Sequence, residues 1–142
     1  MRLDEKSQAE RIVIVTTRAL IDHIVLLAGD ITASAAWYDA FLGVLGFRKT
    51  RAHVYLGPDD WVVDLRAASG SAEAYGRYNV GLNHIGLRVE DADAVLAVRK
   101  AFAAKGFEVP EPQIFKGEIT AVFFVDPDGM RWEISHEISA LL

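Results

Sequence analysis

The chain has 142 residues, a quarter of them charged and half hydrophobic, with a net charge of −5 and no cysteine. That length suits one compact domain or two small repeated units sharing a core, and the missing thiols exclude disulfides, zinc–thiolate sites and cysteine nucleophiles. The acidic balance argues against a general nucleic-acid surface, and no stretch approaches the roughly 20 apolar residues of a membrane span. The N-terminus mixes acids with bases around a short apolar run, unlike a secretory leader, so a cytoplasmic location is the expectation.

Residues 1–11 read as a polar tail, and the β-branched run Ile12–Val15 as either an extra strand or an arm. Leu20–Leu27 predicts a strand. Asp30 or Thr32 then caps a helix over Ile31–Leu45, with Ile31, Ala35, Tyr38, Leu42 and Leu45 at helical spacing and Gly46 at its end. Trp37, Tyr38 and Phe41 on this helix read as core. Phe47–Arg51 and Ala52–Leu56 predict short strands, Gly57-Pro58-Asp59-Asp60 a turn, and Trp61–Ala67 another strand. Ala68–Asn79 is small and polar, a linker.

The order then restarts. Gly81–Val89 predicts a strand, and Asp91 or Asp93 caps a helix through Lys105, closed by Gly106-Phe107. A short strand near Phe107–Val109 is expected, followed by a Pro-bounded loop over Pro110–Gly117. Val122–Val125 is an apolar strand, Asp126-Pro127-Asp128-Gly129 a tight turn, and Arg131–His136 an alternating strand. In that last strand Trp132, Ile134 and His136 share one face, and Arg131, Glu133 and Ser135 the other. A mid-strand glutamate is the oddity, because Glu is depleted in strands and costly to bury unless paired, protonated or bound to a metal.

The two halves match piece by piece. The first strands carry His23 and His84, 61 residues apart, and the last strands carry Asp64 and Glu133, 69 residues apart. Gly46-Phe47 answers Gly106-Phe107. The growth in spacing falls in the Pro110–Gly117 loop, where an insertion costs little. A repeated strand–helix–three-strand unit predicts two equivalent four-stranded sheets related by a pseudo-twofold.

On these features, above all DPDG-x-x-W-E and the histidine in each first strand, the chain resembles the vicinal oxygen chelate superfamily of glyoxalases, bleomycin-resistance proteins and extradiol dioxygenases. The resemblance spans roughly Leu20 to His136 and implies an α+β fold. Two βαβββ modules would form curved mixed sheets around a shared cavity, with helices on the outer faces. The expected division is an arm (1–19), module 1 (20–67), a linker (68–79), module 2 (80–137) and a tail (138–142).

Strand parity puts His23, Asp64, His84 and Glu133 on the cavity faces, so the repeat is expected to bring two imidazoles and two carboxylates toward one centre. Such a set balances a divalent cation, and mixed N/O ligands suit Zn, Ni, Co, Mn or Fe(II) better than Ca or Mg. The family uses the matching positions for metal, which implies His23, His84, Glu133 and Asp64 as ligands. Glu133 and Asp64 are then the catalytic candidates. The bland alternative for Asp64 is an ion pair with Arg66 or Arg88.

Glyoxalase-like members usually carry Glu at the Asp64 position. Asp is one methylene shorter, roughly 1.3 Å of reach. If it falls short, His23, His84 and Glu133 remain as the two-His-one-carboxylate set of non-haem iron oxygenases. Arg66 and Arg88 are candidates for substrate binding, whereas Arg131 is expected to reach the rim. His53, in a short strand, and His136 are expected at the surface.

The resemblance implies a metal-dependent lyase or isomerase acting on a small oxygenated substrate. Alternatives are an extradiol-type ring-cleaving dioxygenase using His23, His84 and Glu133, and a metal-free drug-sequestering protein of the bleomycin-resistance type. Homodimers are common in the family, some with a cavity built from modules of two chains, and a homodimer is the expectation here.

Overall fold

The computed structural model describes residues 17–142. The strand or arm expected at Ile12–Val15 lies outside the described residues. Module 1 runs β1 (His23–Ala28), α1 (Ile31–Val44), β2 (Arg48–Arg51), β3 (Val54–Leu56) and β4 (Val62–Ala67). Module 2 runs β5 (His84–Arg88), α2 (Ala92–Ala103), β6 (Gln113–Phe115), β7 (Ile119–Val125) and β8 (Arg131–Ser135). The sheets are ordered β1-β4-β3-β2 and β5-β8-β7-β6. In each, the first strand pairs parallel with the last and the remaining pairs are antiparallel. The expected α+β repeat of two mixed four-stranded sheets is therefore observed.

Local chemistry explains the boundaries. Asp30 caps α1 by accepting from the Thr32 and Ala33 N–H groups, both at 3.1 Å, and Asp91 caps α2 through Ala94 N–H at 2.8 Å. Gly46 and Gly106 follow the two helices with φ of 82° and 90°, where a side chain would be strained.

The back faces of both sheets and the buried faces of both helices form one core. Phe41 of α1 lies 5.1 Å from Phe124, 5.7 Å from Trp132 and 5.8 Å from Phe102, all in module 2. Tyr38 donates to Asp126 Oδ2 at 2.7 Å and accepts from Trp132 Nε1 at 3.0 Å, a buried relay between modules. Burial and the facing Asp126 carboxylate push the Tyr38 phenol well above its ordinary value. The DPDG turn is held by Asp126 Oδ1, which accepts from Asp128 N and Met130 N at 2.9 Å each. Asp128 in turn accepts from the Gly29 N–H at 3.1 Å, tying that turn to the β1–α1 corner.

Three expectations are corrected. Residues 107–109 form no strand, and the outer strand of module 2 is Gln113–Phe115, inside the expected loop. Pro110 and Pro112 lack N–H donors, so a ladder starts only beyond them. Phe107 is pinned instead by stacking on Phe102 at 5.1 Å and 9°. His53 sits in the turn between β2 and β3 with φ of 63°, not in a strand. His136, expected at the surface, is half-buried, and its Nε2 accepts from Thr120 N–H at 3.2 Å.

Candidate functional site

Both candidate histidines are the first residues of their strands, and among the described residues β1 and β5 are both edge strands. Register then decides what each meets. In module 2, His84 lies opposite Arg131 and Gly86 opposite Glu133. The Glu133 side chain crosses the gap diagonally, and His84 Nε2 stands 3.2 Å from its Oε2. Gly86 lies beside this contact in open space, where an added Cβ would meet nothing within 4 Å.

The surrounding groups set the orientation of that pair. His84 Nδ1 donates to Asn83 Oδ1 at 2.7 Å, and Arg131 Nη2 donates to the same oxygen at 3.2 Å. The Asn83 amide nitrogen donates to Arg77 O at 2.9 Å. Phe123, opposite Glu133 on β7, meets the His84 ring edge-on at 5.6 Å, with the Arg131 guanidinium 4.5 Å above its own ring. Arg131 is thus stacked within the site rather than solvated at a rim.

Glu133 is buried, and its Oε1 has no hydrogen-bond partner. With Nδ1 donating to Asn83, His84 Nε2 turns its lone pair toward a carboxylate. Two electron-rich groups in contact call for a cation between them or a proton on the ring.

Module 1 repeats the register without repeating the contact. His23 lies opposite Val62 and Val25 opposite Asp64, so Val25 stands where module 2 has Gly86. Arg66 grips Asp64 Oδ2 through Nε at 2.9 Å and Nη2 at 2.6 Å. His23 Nδ1 donates to Asp22 Oδ2 at 2.6 Å, which leaves Nε2 for another partner. Residue 22 thus serves His23 as residue 83 serves His84. Reading the sequence for ligands overlooked both, although they align in the repeat.

Within one chain the four candidate ligands do not meet. His84 and Glu133 come together, His23 and Asp64 are each held by a near neighbour, and among the described residues no three His, Asp or Glu side chains form a metal-sized cluster. Arg66 is engaged by Asp64, and Arg88 is exposed on the Glu133 face opposite Ser135. The inner edges of β1 and β5 border an apolar groove of about 600 Å³, with Ile21, Val25, Leu82 and Gly86 in its walls. Several apolar side chains on or just before these strands stand in the open, Ile21 ahead of β1 at 67% and Leu27 on it at 64% exposure.

Residues 20–134 match the family model described as Glyoxalase/Bleomycin resistance protein/Dioxygenase superfamily. No curated protein matches the sequence. Among solved structures, a glyoxylase/bleomycin resistance protein/dioxygenase domain from Frankia sp. EAN1pec superposes with TM-score 0.69 at 18% identity, covering 84% of this chain and 93% of that one. A lactoylglutathione lyase from Agrobacterium tumefaciens gives 0.59 at 19%, covering 84% and 95%. A glyoxalase/bleomycin resistance protein from Albidiferax ferrireducens T118 gives 0.60 at 20%, covering 84% and 100%. At such identities these likenesses establish the fold alone.

Proposed function

The chain belongs to the Glyoxalase/Bleomycin resistance protein/Dioxygenase superfamily, and from that premise we propose that it is a metal-dependent glyoxalase-like enzyme, a lyase or isomerase acting on a small oxygenated substrate. The observation that carries the reading is the buried Glu133 carboxylate, with one oxygen 3.2 Å from His84 Nε2 and the other unpartnered. A divalent cation satisfies both groups at once and fits the N/O chemistry of the set. His84 and Glu133 of one chain would hold it, with His23 and Asp64 supplied by a second copy.

The exposed apolar side chains on β1 and the inner edges of β1 and β5, unpaired among the described residues, support that pairing, because a second copy would cover them. A bound divalent ion supplies Lewis-acid polarisation of adjacent substrate oxygens. The protein's own part is proton movement. Glu133 accepts a proton from the carbon next to a polarised oxygen and returns it to the neighbouring carbon, so the substrate isomerises with its atoms conserved. Asn83 holds the His84 ring in one tautomer, Phe123 walls the site on one side, and Asp22 orients His23 in the same way.

The grip of Arg66 on Asp64 favours a second reading. If that pair persists, His23, His84 and Glu133 remain, the set expected of a ring-cleaving dioxygenase. Metal content and thermal stabilisation by Ni, Co, Zn, Mn and Fe(II), in wild type and Glu133→Gln, test the proposal. The expected result is metal-dependent stabilisation and turnover that both vanish in the variant while the fold survives. No stabilisation by any of these ions in the wild type would point instead to a metal-free binding protein. Catechol cleavage under oxygen by protein loaded anaerobically with Fe(II) would select the second reading.

A further inference from the structure

Sheet A (β1-β4-β3-β2) lines up two rows of residues on the His23 face. One row runs His23, Val62, Leu56, Arg48 and the other Val25, Asp64, Val54, Arg51. The bulge between Lys49 and Arg51 keeps both arginines on this face, while Lys49 turns to the back and bonds Asp39 at 2.9 Å. Arg48 and Arg51 are exposed and form no ion pair among the described residues. The acid on the same face, Asp64, is already matched by Arg66. A chain of net charge −5 thus presents a surplus of positive charge on the wall beside its candidate ligands.

An edge strand can carry cations merely to prevent edge-to-edge pairing. The repeat supplies an internal control against that explanation. The outer strand of sheet B (β5-β8-β7-β6) is β6, equally an edge, and its Glu133-face positions are Gln113 and Phe115, with no cation. β6, three residues long and preceded by Pro110 and Pro112, blunts its edge by other means, so arginines are not this fold's sole way of protecting an outer strand. The outer strands thus differ, Arg48 and Arg51 on β2 against Gln113 and Phe115 on β6, while the cations on the module 2 face, Arg131 stacked on Phe123 and exposed Arg88, lie on β8 and β5.

We propose that the substrate is an anionic oxyacid whose carboxylate or phosphate is seated by Arg48 and Arg51. Neighbouring strands are about 4.8 Å apart, so an anion over β3 lies two spacings, roughly 10 Å, from groups over β1. The substrate therefore carries vicinal oxygens at one end, an apolar body, and its charge about 10 Å away. The guanidinium forks suit such a group, and the wall steers it to the cleft. The assignment rests on the metal-dependent reading above.

The test uses metal-loaded protein and two hydroxamate probes, benzohydroxamate and 4-carboxybenzohydroxamate, which share a chelating end and differ in a remote carboxylate. The carboxylated probe is expected to bind about tenfold more tightly to wild type, equivalent to about 1.4 kcal/mol. That advantage is expected to fall below about twofold in Arg48→Ala/Arg51→Ala, with benzohydroxamate binding unchanged, and to return in part in Arg48→Lys/Arg51→Lys. Equal affinities in wild type, or an advantage that survives the alanine variant, would overturn the assignment. Failure of benzohydroxamate itself to bind would count against the metal reading. The arginine seat is then judged on metal-free protein, where inorganic phosphate at matched ionic strength should raise the Tm of wild type but not of the alanine variant. An equal response, or none in either, would overturn it.

Discussion

The indole N–H of Trp132 donates to the phenol oxygen of Tyr38 at 3.0 Å, and through this bond the helix of module 1 is fastened to the sheet of module 2. The Tyr38 hydroxyl in turn donates a hydrogen bond to Asp126, so Tyr38→Phe strands both a buried indole donor and a buried carboxylate oxygen. Each stranded group costs about 1–3 kcal/mol. Chemical denaturation should show a loss in that range or above, and a double-mutant cycle with Trp132→Phe should reveal coupling of about 0.5–3 kcal/mol. Simple additivity of the two substitutions would mean that the relay does not join the modules.

Asp126 should give this latch a pH dependence. Burial raises its carboxyl above the ordinary value, against the opposing hydrogen bonds from Tyr38, Met130 and Asp128. A raised folded-state value means that the folded protein holds the proton more tightly. Its stabilising contribution is complete below the ordinary value near 3.8 and is lost as pH rises through the raised one. The stability of wild type relative to Asp126→Asn should therefore be greatest in acid and decline toward neutral pH. A difference that grows with pH would contradict the sign.

Gly86 offers a way to separate the site from the fold. A Cβ at this position meets nothing, and the matching residue of module 1 is Val25, so Gly86→Val should fold with stability within about 1 kcal/mol of wild type. The new side chain would project on the Glu133 face and obstruct the diagonal to His84. Metal-induced thermal stabilisation should fall while unfolding in the absence of metal is nearly unchanged. An undiminished metal response would show that the clearance is not used.

Complementation tests the proposed pairing of two chains. His23→Ala disables the module 1 contribution and Glu133→Gln the module 2 contribution. If each centre draws on two chains, every mixed dimer contains one intact centre and one doubly defective one. Random reassortment of the two inactive variants should then restore roughly a quarter of wild-type activity and metal binding. If each centre lies within one chain, mixing restores nothing.

Much of the fold can be read from residue order because the signals are local. Alternation at Arg131–Ser135 assigns Trp132 and Ile134 to the core, where both are fully buried, and Asp30 and Asp91 announce the helix starts they cap. The outer strand of module 2 escapes such reading. Gln113–Phe115 is short and follows two prolines, and only its pairing with Ile119–Ala121 makes it a strand.

The candidate site divides in the same way. Sequence by itself determined the repeat, the strand faces, and hence the candidacy of His23, Asp64, His84 and Glu133, because side-chain parity is a property of the extended backbone. Tertiary structure decided which of them meet. His84 reaches Glu133 across Gly86, whereas Asp64, shorter by a methylene and opposite Val25, turns to Arg66. It also put Arg48 and Arg51, unremarkable in an exposed strand, on the same wall as His23. Parity selects a face, but distance depends on register, on the residue across the ladder, and on the charge nearest to hand.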